Sequence, residues 1–109
     1  MTIGVCTFEI HLPSARSLKD KRQVLRSLKE RVRSRHNVAV SELEEHSDLW
    51  QRASIAIVSV APHRDTLVTL FETIRRDAEA HVPGHVIETG TEFIQGSDGG
   101  PRGWEAEDL

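Results

Sequence analysis

The hydrophobic period of this chain changes four times along its length, and a proline stands at three of the four changes. From Thr2 to Leu12 the even positions Gly4, Cys6, Phe8, Ile10 and Leu12 are mostly apolar. The odd positions run from Ile3 and Val5 to Thr7, Glu9 and His11, which is the period of a strand, and Pro13 ends it. Ser17, with Asp20 three residues on, makes a start resembling a capping box, and Leu18, Val24, Leu25, Leu28 and Val32 form an apolar helical face to about His36. Asn37 breaks that pattern. Val38 to Leu43 reads as a short strand, Glu44 to Asp48 as a polar turn, and Trp50 to Ala61 as the second strand of a hairpin closed by Pro62. Asp65 or Thr66 is the expected cap of a second helix, whose Leu67, Leu70, Phe71, Ile74 and Ala78 recur at helical spacing until Pro83 and Gly84. His85 to Ile94 reads as a last strand.

The order β-α-β-β-α-β defines an α+β domain over residues 1–94. It is the split β-α-β arrangement of ferredoxin-like folds, a four-stranded antiparallel sheet with two helices on one face. From Gln95 to Leu109 the glycines 96, 99, 100 and 103 are joined by Pro101, Glu105, Glu107 and Asp108, with Trp104 the one large apolar side chain before the final leucine. This composition predicts a flexible tail.

Two helices cover one face of a sheet, yet the third strand is apolar on both sides, with Ala53, Ile55, Ile57 and Ala61 on one and Ala56, Val58 and Val60 on the other. Ile3 and Val5 extend the uncovered side. Two readings stay open: a central strand with a few exposed aliphatics, or a homodimer built sheet against sheet.

Charge is distributed unevenly. Residues 16–35 hold nine of the fourteen Lys and Arg residues against two carboxylates, a local balance of +7, while the remainder carries −10. Lys19, Arg22, Arg26, Lys29 and Arg33 recur at spacings of three and four and fall within about 80° of one helix face. Like charges on consecutive turns repel by a few tenths of a kcal/mol per close pair, so the stripe suggests a polyanionic partner rather than a solvated face. A net charge of −3 excludes a generally basic nucleic-acid binder and confines any such role to this stripe.

Catalytic and metal constellations are not legible. Of the six histidines only His81 and His85 are close, and Pro83 and Gly84 separate them. Glu42, Glu44, Glu45 and Asp48 sit in a turn, where solvated charge is the default, although Glu42 can reach a first-helix cation. No glycine-rich loop opens a helix, and Ser17 and Ser27 lack His and Asp partners at a recognisable spacing. There is no Tyr, and Trp50 stands alone at the entrance of the third strand, which argues against base stacking on the sheet. Cys6 as the single cysteine excludes an internal disulfide and a cysteine metal cluster and fits a reducing cytoplasm. No apolar stretch approaches the roughly 20 residues of a membrane span.

The run from His11 to Val40, with His11-Leu12-Pro13, Ser17-Leu18-Lys19 and Lys21-Arg22, together with Trp50-Gln51-Arg52-Ala53, resembles the YlxP-like family of small bacterial proteins, a domain of unknown function. The resemblance covers about the first ninety-four residues, and His36 departs from the aromatic residue typical of that place. It implies a ferredoxin-like fold and a gene neighbourhood rich in transcription-termination, translation-initiation and ribosome-maturation factors, with no reaction and no cofactor attached. The expectation is therefore a non-enzymatic cytoplasmic accessory protein that contacts ribosomal or other structured RNA through Lys19, Arg22, Arg26, Lys29 and Arg33, with Arg52 extending the patch. The alternative is a homo-oligomeric interaction module whose basic helix docks an acidic protein surface.

Overall fold

The computed structural model describes residues 1–96, so the expectations for the tail, Trp104 included, lie almost wholly outside the described residues. Strand β1 spans Thr2–His11, helix α1 Leu18–Arg35, β2 Ala39–Glu42, β3 Arg52–Ala61, helix α2 Arg64–His81 and β4 His85–Gln95. The sheet order is β2-β3-β1-β4 and every neighbouring pair is antiparallel, which is the ferredoxin-like arrangement.

Alternation along β1 decides which face the helices cover. Cys6, Phe8 and Ile10 are fully buried and meet Ile57, Ile55 and Ala53 across the β1–β3 register. Leu25, Leu28 and Val32 of α1 and Leu67, Phe71 and Ile74 of α2 close the layer above them. The opposite face carries Ile3 and Val5 half-buried beside Val58, Val60 and Ile94, which are 37%, 54% and 50% exposed. An aliphatic patch thus lies open at one end of the sheet. Glu9, His11 and Arg52 occupy the other end.

Local chemistry sets the boundaries. Ser17 caps α1, its Oγ accepting from the Asp20 amide at 3.1 Å. Helix α2 begins earlier than either expected cap: His63 is the N-cap residue and makes no side-chain cap bond, and Asp65 lies in the first turn, where its carboxylate meets the positive end of the helix dipole. Strand β2 is two residues shorter than expected, and β3 starts at Arg52 because Trp50 and Gln51 belong to the preceding loop. Strand β4 runs one residue past Ile94. At its end the Gly96 amide donates to the Met1 carbonyl at 2.9 Å, so the two ends of the described chain are joined at the sheet margin.

The helices are tied to each other and to the sheet by carboxylates. Arg31 donates from Nε and Nη2 to the two oxygens of Asp77, each at 2.9 Å, and Glu79 accepts from the Val86 amide at 2.6 Å. The Arg31 guanidinium holds the Asp77 carboxyl below its usual range, and the Val86 N–H, then His85, does the same for Glu79. Both groups thus stabilise the fold fully above the ordinary carboxylate pKa, and that contribution is lost as pH falls through their lowered native values. Stability should therefore decline from about pH 5 downward, and Asp77→Asn should flatten part of the decline in chemical denaturation at stepped pH.

Gly84 turns the chain from α2 into β4 against the β1 end. A Cβ there would collide with the His11 carbonyl, backbone that has no rotamer to yield. Gly84→Ala should cost roughly 1–3 kcal/mol, read as a lower thermal midpoint with unchanged far-ultraviolet dichroism of the folded state.

Candidate nucleic-acid interface

The fold divides the cations of residues 16–35 into two groups, apart from Arg16, which is exposed ahead of α1. Lys21 is buried, and Arg31 and Arg35 are bound to Asp77 at 2.9 and 3.8 Å. The five stripe residues have no carboxylate within 4.0 Å among the described residues. Lys19, Arg22, Arg26 and Arg33 are exposed and Lys29 half-buried. With Leu25, Leu28 and Val32 packed on the sheet, the stripe faces outward, and neither Glu42 nor Glu44, Glu45 or Asp48 neutralises it. At 1.5 Å rise per residue, five unpaired positive charges line about 20 Å of helix. Arg52 stands apart from them, its Nη1 lying 3.6 Å from Glu9 Oε1 at the end of β3.

Lys21 does different work. Its side chain is directed into the loop between β2 and β3, where Nζ donates to the carbonyls of His46 at 2.9 Å, Leu49 at 2.7 Å and Arg52 at 3.1 Å, with Ser47 at 3.4 Å. An ammonium has three protons, so these bonds satisfy it completely and make burial tolerable. Sequence reading counted Lys21 in the charge balance of residues 16–35 and assigned it no position. The available signal was its spacing from Leu25, Leu28 and Val32, which puts it on the buried helix face.

The pinned loop delivers further groups to the open end of the sheet. His46 has φ 65, the left-handed region, and in that conformation its carbonyl meets Lys21 while its Nε2 lies 3.4 Å from Glu9 Oε1 and 3.3 Å from Glu45 Oε1. Glu9 Oε1 is also 3.4 Å from His11 Nε2. These are ion-pair distances without hydrogen-bond alignment: Glu9 Oε1 and His11 Nε2 are both shielded from solvent with no hydrogen-bond partner among the described residues. Next to them a cavity of about 510 Å³ is lined by His11, Pro13, Leu49, Trp50, Gln51 and Arg52.

Two other juxtapositions escaped sequence reading. Ser27 Oγ lies 3.1 Å from His81 Nε2 across the helix pair, but no carboxylate approaches His81 within 4.0 Å among the described residues, so the pair lacks the group that orients a catalytic imidazole. Cys6 is buried against Glu88 and Thr91, and burial pushes its thiol up to about 11, which leaves no thiolate nucleophile at neutral pH. Among the described residues no three His, Cys, Asp or Glu side chains are placed to hold a metal ion, and no helix is long and apolar enough to cross a membrane.

Sheet, helices and outward cationic face define a small ferredoxin-like α+β protein with a basic stripe on its first helix that has no carboxylate partner among the described residues. The chain belongs to the family described as Protein of unknown function (DUF503), whose model matches residues 3–91. It is similar to the Uncharacterized protein YlxP of Bacillus subtilis (strain 168), with 40% identity over 62 residues. That match spans 57% of this chain and 66% of the relative.

Lys21→Met keeps the length of the side chain and removes the donor. It should destabilise the fold by roughly 2–4 kcal/mol. In hydrogen exchange the amides of Ser47 and Leu49, which close turns within the pinned loop, should lose protection before the strands do.

Proposed function

We propose that the protein is a non-enzymatic accessory factor of the cytoplasm that binds structured RNA, on the ribosome or apart from it, through Lys19, Arg22, Arg26, Lys29 and Arg33. The observation that carries this reading is the division of labour among the cations. Those that stabilise the fold are committed to Asp77 or to loop carbonyls, whereas the five on one face have no carboxylate partner among the described residues. A row of unpaired guanidinium and ammonium groups on successive turns tracks a phosphate backbone and releases its counterions, without reading base sequence. Arg52 adds a sixth cation at the loop end, partly offset by Glu9.

Five phosphate contacts should give log K against log salt a slope of about −3 to −5. Binding to ribosomal subunits and to a structured ribosomal RNA fragment over a salt series should show this dependence. The variant Arg22→Glu/Arg26→Glu/Lys29→Glu should lose binding while keeping its thermal midpoint within a few degrees. Absence of wild-type binding to either target at low salt overturns the proposal.

A second reading concerns assembly. The exposed Val58, Val60 and Ile94 beside Ile3 and Val5 form a continuous aliphatic surface, which supports a homodimer packed through the open sheet face, leaving the basic helices outward or docked on an acidic protein.

A further inference from the structure

We propose that the cavity beside Trp50 is a binding site for one unpaired nucleobase of the RNA held by the basic helix, an inference that rests on the RNA-binding reading above. Three observations converge on it.

The first is a fixed, exposed aromatic. Trp50 is 52% exposed and Leu49 44%, yet the backbone around them is held on every side. The Leu49 carbonyl accepts from Lys21 at 2.7 Å, the Gln51 carbonyl accepts from the Leu12 amide at 2.9 Å, and Gln51 Nε2 donates to the Pro13 carbonyl at 2.9 Å. An indole presented to solvent on a pinned loop is preorganised, so a planar ring can stack on it without the cost of ordering the loop.

The second is the composition of the walls. The cavity of about 510 Å³ lies within the roughly 300–1,000 Å³ of small-ligand sites. Trp50, Leu49 and Pro13 give it apolar surfaces, while His11 and Arg52, paired residues in the β1–β3 register, supply ring and guanidinium nitrogens. His11 Nε2 lies 3.4 Å from Glu9 Oε1 and is shielded from solvent, so the Arg52 guanidinium is the polar group on offer to a ligand. A flat aromatic with acceptors on its edge fits such a site, because the exposed Arg52 guanidinium has protons beyond its contact with Glu9.

The third is continuity with the cationic face. Lys21 binds the loop to the first turns of α1, on which Lys19 and Arg22 begin the stripe. The loop that carries Trp50 is thus fixed to the end of the helix where the stripe begins, and this favours a nucleotide over a sugar or a peptide aromatic. Stacking of this kind discriminates unpaired from paired RNA while tolerating any base.

The test uses the full chain with Trp104→Phe, which leaves Trp50 as the single tryptophan of the two. Its emission is followed during titration with a hairpin RNA carrying an unpaired loop, with the fully paired duplex of the same stem, and with AMP and UMP. The expected result is quenching by the hairpin and not by the duplex. Trp50→Ala should weaken hairpin affinity roughly ten- to a hundredfold, leave duplex affinity and its salt slope unchanged, and be largely rescued by Trp50→Phe. Hairpin binding with unchanged Trp50 emission overturns the pocket and leaves the helix reading standing. Quenching by AMP or UMP at micromolar concentration, with none by the hairpin, assigns the cavity to a free nucleotide and overturns the RNA assignment. Loss of all RNA binding in both backgrounds overturns the helix reading, and this inference with it.

Discussion

An enclosed ammonium group holds one end of this molecule together. Lys21 is the one charged side chain buried among the described residues, and an ion taken out of water costs several kcal/mol unless its protons are fully engaged. The loop between β2 and β3 has no hydrophobic core of its own, so its order comes from turning carbonyls inward to meet that charge. The dependence runs both ways. Without the carbonyls the lysine has no reason to be inside, and without the lysine the loop keeps only its own turns, its bonds at the Gln51 end and the His46–Glu9 contact. The left-handed backbone at His46, the presentation of Trp50 and the start of β3 at Arg52 all follow from that single arrangement.

The other organising constraint is coverage. Two helices shield one face of a four-stranded sheet and leave the other to be resolved by side chains alone. The open face is split: aliphatic where Val58, Val60 and Ile94 meet Ile3 and Val5, polar where Glu9 faces His11, His46 and Arg52. The basic stripe lies on a third surface, the outer side of α1, because Leu25, Leu28 and Val32 fix the rotation of that helix on the sheet. The aliphatic face of the sheet and the basic stripe therefore share no residues.

Much of this was legible in the sequence because it is periodic. Alternation in β1, the Ser17 cap and the leucine face of α1 are local signals, and together they fix the element order and the outward side of the stripe. What was not legible depends on distance in space. The α2 boundary was misplaced because His63 caps the helix without a side-chain bond. Lys21 carried a positional signal that its charge concealed. His11 and Arg52 face each other only through the β1–β3 register, and His46 meets Glu9 only once a loop with no periodicity of its own has been closed by a lysine from another element. Trp50 looked incidental as a lone aromatic beside a strand, and it gains significance from the cavity it walls.

The hydrogen bond between Gly96 and Met1 makes the described chain topologically close to a ring. Its first and last residues meet at one margin of the sheet, while Trp50 and the Lys21 loop sit beyond the other end of β1, roughly 30 Å away along a ten-residue strand. A short peptide could join those ends and the backbone be opened at another loop, yielding a circular permutant with every strand pairing kept. Cargo attached ahead of Met1 would likewise hang from the pole opposite Trp50, clear of the cavity it lines.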